Sequence, residues 1–184
     1  MTNTVASPVL PQKNLIVLIG MMGAGKTTVG RALAKKIGRK FIDLDHAIVD
    51  RCGVDIPTIF DIEGEEGFRR RETEVLQEVI LQHDIVLATG GGAVLRPENR
   101  QLMKQYGRVF YLRVDVDELY RRVAKDKNRP LLATPNPKER LTELLAERSD
   151  IYEEAADHIL DSTDGSLNII VDQIINLLEQ RDDK

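Results

Sequence analysis

The feature that constrains this chain most is a glycine-rich segment between an apolar run and helix-forming sequence. Residues 20–27 are GMMGAGKT, which fits the pattern GxxxxGK[ST], and the preceding Leu15–Ile19 is purely aliphatic. In such a loop, glycines turn consecutive backbone N–H groups towards phosphate oxygens, while Lys26 reaches the β and γ phosphates and the Thr27 hydroxyl binds Mg²⁺. The helix N-terminus adds positive potential there. The segment predicts a nucleoside triphosphate site, with a simple glycine-rich turn as the alternative.

Strand and helix signals alternate along the rest of the chain. Short apolar strands between helices predict an α/β fold with a parallel sheet that is covered on both faces. The predicted strands are 15–19, 40–44, 85–88, 108–112 and 158–160, and the predicted helices are 26–37, 65–81, 97–106, 116–124, 137–155 and 166–179. Ligands of such sheets bind beyond the carboxyl ends of the strands, so the residues that come after each strand are the first candidates for chemistry.

Length and composition indicate one domain. A chain of 184 residues can bury a substantial core but is too short for two comfortable domains. We therefore expect a disordered tail at 1–13 and a single domain over 14–184. No coiled-coil pattern or extra apolar segment stands out, so we expect a monomer.

Charge and hydropathy exclude several classes of partner. The net charge of -4 offers no general attraction to nucleic acid or to an anionic membrane. The aliphatic run at 15–19 is far shorter than the roughly 20 residues of a membrane span. Cys52 is the only cysteine, which permits no internal disulfide and fits a reducing compartment. The first thirteen residues do not have the pattern of a secretory signal, and a nucleoside triphosphate site needs ATP, so the cytoplasm is expected, with a plastid protein that has lost its transit peptide as the alternative.

Two carboxylates come after the second predicted strand. Asp43 and Asp45 are two residues apart, and on a strand this spacing turns both side chains to one face, towards the phosphate loop. Mg²⁺ prefers oxygen ligands and commonly keeps several waters. One aspartate would then hold the ion through water while the other bonds to an acceptor hydroxyl. A helix cap is the alternative for Asp45.

An arginine-rich helix and a glycine run indicate an acceptor site for an acid. Arg69 and Glu72 are three residues apart on one predicted helix face, so the carboxylate would hold the guanidinium ready for bidentate contact with a ligand. The next two arginines are expected to be solvated or paired with Glu66 and Glu74. After the third predicted strand, Gly90–Gly92 predicts backbone that a ligand approaches closely, with a flexible turn as the alternative.

Two later segments each allow two interpretations. The polar, proline-punctuated residues 125–137 form either a solvated connection between helices or a mobile lid that brings Arg129 over the phosphates and excludes water. Arg148, within a predicted helix, is either a surface charge or a second cation at the acceptor site.

Together these motifs resemble those of the shikimate kinases. The matching stretches run from about residue 15 to 152 and are GMMGAGKT, FIDLD, FDIEGEEGFRRRE, ATGGGAV, RPLL and ERSDIY. The resemblance implies a three-layer P-loop fold, in which helices flank a five-stranded parallel sheet of order 23145, with a mobile lid at about 125–137. It also implies ATP-dependent phosphorylation of the 3-hydroxyl of shikimate to give shikimate 3-phosphate and ADP, a step of chorismate and aromatic amino acid biosynthesis, with Mg²⁺ as the metal.

The resemblance implies a role for each matched residue. The nucleotide would contact Gly23, Ala24, Gly25, Lys26, Thr27, Thr28, Arg122 and Arg129, of which Arg122 would lie against the adenine. The metal ligands would be Thr27 and, through water, Asp43. Shikimate would be bound by Asp45, Phe68, Arg69, Gly90, Gly91, Gly92 and Arg148. The groups that act in phosphoryl transfer would be Lys26, Asp45 and Arg129, and Asp45 would act as a base or only orient the hydroxyl.

Three other hypotheses are compatible with parts of the sequence. A kinase of another small polyol acid, such as gluconate, would fit the two-arginine carboxylate site. A nucleotide-dependent switch would fit the DxxG pattern at Asp61–Gly64, although the chain has no NKxD sequence after it. A non-catalytic homologue would bind ligands without turnover. Asp150 and Ile151 stand where the family often has proline and leucine, which is a departure beside Arg148.

Overall fold

Five parallel strands form the sheet at the centre of the fold. The structure is a computed structural model that describes residues 14–124 and 129–180. The predicted tail at 1–13 and the start of the predicted lid at 125–128 lie outside the described residues. The strands are β1 Leu15–Ile19, β2 Lys40–Asp43, β3 Ile85–Ala88, β4 Gly107–Arg113 and β5 His158–Asp161. Their order, β2-β3-β1-β4-β5, confirms the sheet that the resemblance implies.

The aliphatic run near the start of the chain forms the central strand. β1 pairs in parallel with β3 on one side and with β4 on the other. All five of its residues are buried. A parallel sheet between two helix layers needs apolar side chains in both directions, which explains a continuous apolar run instead of an alternating one. The carboxyl ends of β1, β2 and β3 consequently meet at one edge of the sheet.

Helices connect the strands in the order expected for βα units. The α-helices in the described ranges are α1 Lys26–Ile37, α2 Leu44–Cys52, α3 Ile56–Val79, α4 Pro97–Tyr106, α5 Val116–Val123, α6 Pro137–Ala155 and α7 Leu167–Glu179. Short 3₁₀ helices occur at Ala93–Leu95 and Pro130–Leu132. Across 14–124 and 129–180, no helix is both long enough and apolar enough to cross a membrane.

The segment after β2 differs from the prediction. The strand ends at Asp43, and α2 begins at the next residue, so Asp43 and Asp45 do not share one strand face. Asp43 caps α2, because its Oδ1 accepts hydrogen bonds from the N–H groups of Asp45 (3.0 Å) and His46 (3.3 Å). The alternative interpretation of Asp45 as the helix cap is therefore wrong, since Asp43 is the cap. The i, i+4 spacing of the buried Leu44 and Ile48 was the helical signal in this stretch.

Helix α3 also begins earlier than predicted, at Ile56 instead of residue 65, and it ends at Val79 instead of 81. Asp55 caps its start, where the side chain accepts from the Thr58 N–H at 2.9 Å. At Gly64 the backbone leaves helical geometry, with φ 69° and ψ −177°. Only glycine adopts this combination without strain, which explains why a glycine marks the bend.

Candidate active site

The phosphate loop turns at the carboxyl end of β1 and depends on three glycines. Gly20, Gly23 and Gly25 have φ values of 146°, 84° and 91°. L side chains rarely adopt such values. At two of them there is also no room for a side chain, because a Cβ at Gly20 would lie 2.7 Å from the Leu112 carbonyl oxygen and one at Gly23 would lie 2.8 Å from Val123 Cγ1. Helix α1 starts directly after this turn, so its unpaired N–H groups face the loop.

Lys26 lies folded back onto the loop that precedes it. Its Nζ donates hydrogen bonds to the carbonyl oxygens of Gly20 and Met21, both at 2.8 Å. The side chain is buried, and this burial lowers the pKa of Lys26 to about 8, although the Asp45 carboxylate opposes the effect. The ammonium group is therefore held at the bottom of the loop by two backbone acceptors.

A hydroxyl and a carboxylate meet beside Lys26. Thr27 Oγ1 donates to Asp43 Oδ2 at 2.6 Å, which ties the start of α1 to the end of β2. In the described part of the chain, no group of three or more His, Cys, Asp or Glu side chains is arranged to hold a metal ion. An ion at Thr27 and Asp43 would thus take most of its ligands from water and from a nucleotide, as Mg²⁺ commonly does.

Asp45 projects from the first turn of α2 with an unpaired oxygen. Its Oδ1 is buried and has no hydrogen-bond partner among the described residues. Burial raises the pKa of the Asp45 carboxyl, with the charge of Asp43 adding to the effect and that of Lys26 opposing it. The result is a carboxylate that is a stronger base than a solvated aspartate and has an open acceptor position.

Two adjoining cavities lie at this edge of the sheet. The loop cavity is lined by Met22, Gly23, Gly25, Lys26, Thr27, Thr28, Asp43, Asp45, His46, Thr89, Gly90, Gly91, Arg122 and Arg129. The arginine cavity, of about 490 Å³ counted to its open mouth, is lined by Met22, Asp45, Ile56, Phe60, Phe68, Arg69, Glu72, Gly90, Gly91, Gly92, Arg129, Pro130, Leu131 and Arg148. The shared residues are Met22, Asp45, Gly90, Gly91 and Arg129. A chemical group that is transferred from a ligand in one cavity to a ligand in the other would move between these five residues.

Arg69 and Glu72 form the predicted pair at the wall of the arginine cavity. Arg69 Nη1 donates to Glu72 Oε2 at 2.8 Å, and both side chains are buried. Arg69 Nη2 donates to Glu65 Oε1 at 3.2 Å. Within the described ranges, Arg69 Nε and Glu72 Oε1 have no partner. The pair therefore leaves one buried donor and one buried acceptor unsatisfied.

Arg148 is buried at the same cavity, with 2% of its surface exposed. This burial contradicts the interpretation of Arg148 as a surface charge. Its Nε and Nη1 lack hydrogen-bond partners in the part of the chain that the structure describes. Burying an arginine with unpaired donors is unfavourable unless something else satisfies them.

The glycine turn after β3 separates these charged side chains. A Cβ at Gly90 would lie 2.8 Å from Glu72 Oε1 and 2.9 Å from Asp45 Oδ1, and a Cβ at Gly92 would lie 2.2 Å from Arg69 Nη2. A side chain at either position would push these carboxylates or the guanidinium out of their present places.

Aromatic side chains complete the arginine cavity. The Phe68 ring lies 4.9 Å from that of Phe60, and the Arg69 guanidinium carbon is 5.2 Å from the Phe68 ring centre. Phe68 was predicted at this site, whereas Phe60 and Ile56 were missed because the first half of α3 was missed. Their i, i+4 spacing was the available signal.

Four more residues were predicted to contact the nucleotide, and they lie at different positions around the loop cavity. Arg122 lies outside the loop, where Nη1 donates to the Gly23 carbonyl at 3.2 Å and Nε donates to Glu118 Oε1 at 2.6 Å. Thr28 is exposed and lines the loop cavity, and Arg129 lines both cavities. Ala24 is not among the lining residues, and its N–H donates to the Met21 carbonyl at 3.1 Å. A nucleotide contact of Ala24 stays a prediction.

The two arginines after Arg69 differ in their surroundings. Arg70 is exposed, as expected. Arg71 pairs with Glu63, with Nε to Oε2 at 2.9 Å, and Glu66 pairs with Arg96. The predicted pairing with Glu66 or Glu74 is therefore wrong, because the bend in α3 brings Glu63 within reach.

Comparison with known proteins gives one consistent result. The model of the shikimate kinase family matches residues 22–179. Similar curated proteins include the shikimate kinase of Bordetella avium, 50% identical over 95% of this chain and 84% of that protein, and that of Nitrosomonas europaea, 54% identical over 90% and 78%. Among solved structures, a shikimate kinase from Acinetobacter baumannii in complex with shikimate is 45% identical, covers 94% of each chain and has a TM-score of 0.88.

Proposed function

This chain belongs to the shikimate kinase family, and we propose on that premise that the loop cavity binds ATP and the arginine cavity binds shikimate. The chain is an enzyme that phosphorylates the 3-hydroxyl of shikimate with ATP, giving shikimate 3-phosphate and ADP. The reaction is a step of aromatic amino acid biosynthesis. We divide the residues of the site into those that bind shikimate, those that bind ATP and those that act on the phosphoryl group during its transfer.

The assignment of the acceptor rests on one observation, the unpaired polar atoms of the arginine cavity. Its unpaired donors are Nε of Arg69 and both Nε and Nη1 of Arg148, whereas its unpaired acceptors are Oδ1 of Asp45 and Oε1 of Glu72. Buried groups of this kind cost about 1–3 kcal/mol each while unpaired. Shikimate carries one carboxylate and three hydroxyls on a small ring, so it satisfies donors and acceptors together while its ring packs against Phe68.

On the nucleotide side, the phosphates of ATP lie in the loop beside Lys26. The Lys26 ammonium then gives up its hydrogen bonds to backbone carbonyls and donates to phosphate oxygens instead. Thr27 and, through water, Asp43 would hold Mg²⁺, since their oxygens lie 2.6 Å apart and Mg²⁺ prefers oxygen ligands. When bound, the ion neutralises charge on the phosphates. Arg122, which is fixed by Glu118 at the outer side of the loop, lies against the adenine.

Phosphoryl transfer takes place at the residues that line both cavities. Asp45 accepts a hydrogen bond from the attacking hydroxyl through its unpaired oxygen, and its raised pKa favours proton transfer as that hydroxyl loses its proton. Lys26 and Arg129 offset the negative charge of the transferring group. Positioning and charge neutralisation supply most of the catalysis in such reactions.

The chain acts, in this proposal, as a cytoplasmic monomer with one domain over 14–184 and a lid at about 125–137, and without nucleic acid or membrane partners. Support for one domain comes from a single buried core that includes β1, β3 and β4 and residues of α1 through α7. Light scattering with size-exclusion chromatography tests the monomer directly. A mass of twice 20.7 kDa would contradict it.

The experiment that tests this function is an ADP-release assay with Mg-ATP and three conditions: shikimate, gluconate or no acceptor. We expect release that depends on shikimate. Release with gluconate alone would overturn the acceptor assignment, and slow release without any acceptor would favour a nucleotide switch.

A further inference from the structure

One buried hydroxyl lies where the phosphate loop, the glycine turn and α6 meet. Tyr152 is one helical turn after Arg148 and has no exposed surface. Its hydroxyl donates to the carbonyl oxygen of Gly91. The Tyr152 hydroxyl oxygen also lies 3.4 Å from Met21 Sδ in the phosphate loop. A hydroxyl donates one hydrogen, and a carbonyl oxygen is a far better acceptor than a thioether. The bond to Gly91 therefore fixes the orientation of this hydroxyl.

The glycine turn needs such a contact at its middle. Three consecutive glycines lose more conformational entropy on ordering than any other residues, and they carry no side chains that could anchor them. The turn is held at its start by Thr89, whose hydroxyl donates to the Leu18 carbonyl at 3.1 Å. It is held at its end by Asn99, whose Nδ2 donates to the Ala93 carbonyl at 2.9 Å. Tyr152 supplies the side-chain contact between these two points.

Gly91 also lies close to both substrate cavities. A Cβ at this position would lie 3.3 Å from the Met22 nitrogen and 3.7 Å from Arg148 Nη1. A trans peptide unit directs its carbonyl and its N–H to opposite sides. A hydroxyl that holds the Gly91 carbonyl in the core therefore turns the N–H of Gly92 the other way, and Gly92 lines the arginine cavity.

We propose that Tyr152 is a positioning residue, whose hydroxyl orders the glycine turn before shikimate binds and so lowers the entropic cost of binding the acceptor. The inference rests on the proposed acceptor site. Tyr111 supports the geometry, because its ring stacks on Tyr152 at 4.9 Å between centres and 23° between planes. Burial raises the pKa of the Tyr152 hydroxyl above its usual range, although the charge of Arg148 and its hydrogen bond with Tyr152 oppose the effect, so the hydroxyl stays protonated as a donor.

The test is Tyr152→Phe, which removes the hydroxyl and keeps the stacked ring. We expect the KM and the Kd for shikimate to rise about tenfold, which corresponds to about 1.4 kcal/mol. The kcat at saturating shikimate and the KM for ATP should stay within about threefold, since Tyr152 touches neither reacting group. The matched control is Tyr111→Phe, because Tyr111 is equally buried in the same stack but lines a separate cavity with Arg113 and Glu153.

Two results would overturn this role. One is an unchanged KM for shikimate in Tyr152→Phe. The other is a similar rise in the KM for shikimate and in the KM for ATP, seen in both tyrosine variants, because a tyrosine that only supports the fold would give that result. If wild type itself shows no shikimate-dependent turnover, the proposed function fails instead. Amide hydrogen exchange of wild type needs no variant. We expect slow exchange without ligand at Thr89, Ala93 and Leu95, whose N–H groups donate to backbone carbonyls, and rapid exchange at these three positions that slows only with shikimate would contradict a preordered turn.

Discussion

The two cavities achieve binding in opposite ways. The loop cavity is built around one continuous segment, residues 22–28, and its lysine is paired with carbonyl oxygens of its own loop. The arginine cavity is assembled from α2, α3, the glycine turn and α6, and it keeps buried donors and acceptors unpaired. In the loop, Lys26 exchanges its hydrogen bonds to backbone carbonyls for hydrogen bonds to phosphate oxygens. In the acceptor site, the buried donors and acceptors gain hydrogen-bond partners only when the ligand binds. Loss of a loop group should therefore abolish chemistry, and loss of an arginine should chiefly weaken acceptor binding.

The largest effect is expected at the loop. Lys26→Ala removes the ammonium that offsets charge on the transferring phosphoryl group, and we expect kcat to fall about a thousandfold or more. Steady-state kinetics measures this, with Lys35→Ala as the control because Lys35 is exposed in the last turn of the same helix. A loss of less than about tenfold in Lys26→Ala would mean that the loop does not hold the reacting phosphates.

A loss of chemistry with acceptor binding retained is expected for Asp45→Asn. The amide keeps the shape but cannot take a proton, so kcat should fall by about 10²–10⁴. The Kd for shikimate, measured by calorimetry, should change by less than about fivefold, since an amide oxygen still accepts a hydrogen bond. Asp50→Asn, on the exposed side of α2, is the control. Near-normal kcat in Asp45→Asn would show that Asp45 is not the base, since the amide oxygen still accepts the hydrogen bond that orients the hydroxyl.

On the acceptor side, Arg69→Ala should raise the KM for shikimate by about 10–100-fold, the cost of a charged hydrogen-bonding group. The KM for ATP should be nearly unchanged. The variant also leaves Glu72 buried without its partner, so Arg69→Lys, which keeps the charge but not the planar fork, separates binding from folding. Arg70→Ala is the control, because that neighbour is exposed. The carboxylate assignment would be refuted by an unaltered KM for shikimate in both Arg69 variants.

A smaller effect is expected from Gly92→Ala. The new Cβ would lie 2.2 Å from Arg69 Nη2, so the guanidinium must move away from its present place. We expect a rise of about tenfold in the KM for shikimate, equivalent to about 1.4 kcal/mol. Gly38→Ala is the contrast, because that position has φ 69° with open space around it and lies at the end of α1. It should cost about 1 kcal/mol of stability without any change in KM. Equal KM values for shikimate in Gly92→Ala and wild type would show that the glycine turn does not determine the position of the Arg69 guanidinium.

The sequence predicts the loop side better than the acceptor side for a physical reason. The limits of β1 and α1 and the positions of the loop glycines depend on local backbone requirements, and all of them agree with the structure. The burial of Arg148 depends on how α6 packs against the glycine turn, which no local pattern records. The same holds for the Arg71–Glu63 pair, which exists because α3 bends at Gly64.

Helix α2 and the first half of α3 were not predicted from the sequence, although each had a weak helical signal. Helix α2 comes directly after β2 without a connecting loop, so its first residues were assigned to the strand, and this placed Asp43 and Asp45 on one strand face. The first half of α3 ends at Gly64, a residue that usually argues against a helix. Despite these errors both aspartates line the loop cavity, because a cap residue and the second residue of the helix it caps lie at the same end of β2.

The central claim is that buried, unpaired arginine donors bind the carboxylate of the acceptor. The most direct test compares shikimate with its methyl ester on wild type and on Arg69→Lys, with kcat/KM as the readout. We expect the ester to lose about a hundredfold on wild type and about tenfold on the variant, because the planar fork of Arg69 is lost while the lysine charge and Arg148 still favour the carboxylate. The same loss on both enzymes would show that Arg69 does not contact the carboxylate, and it would contradict the proposed acceptor site.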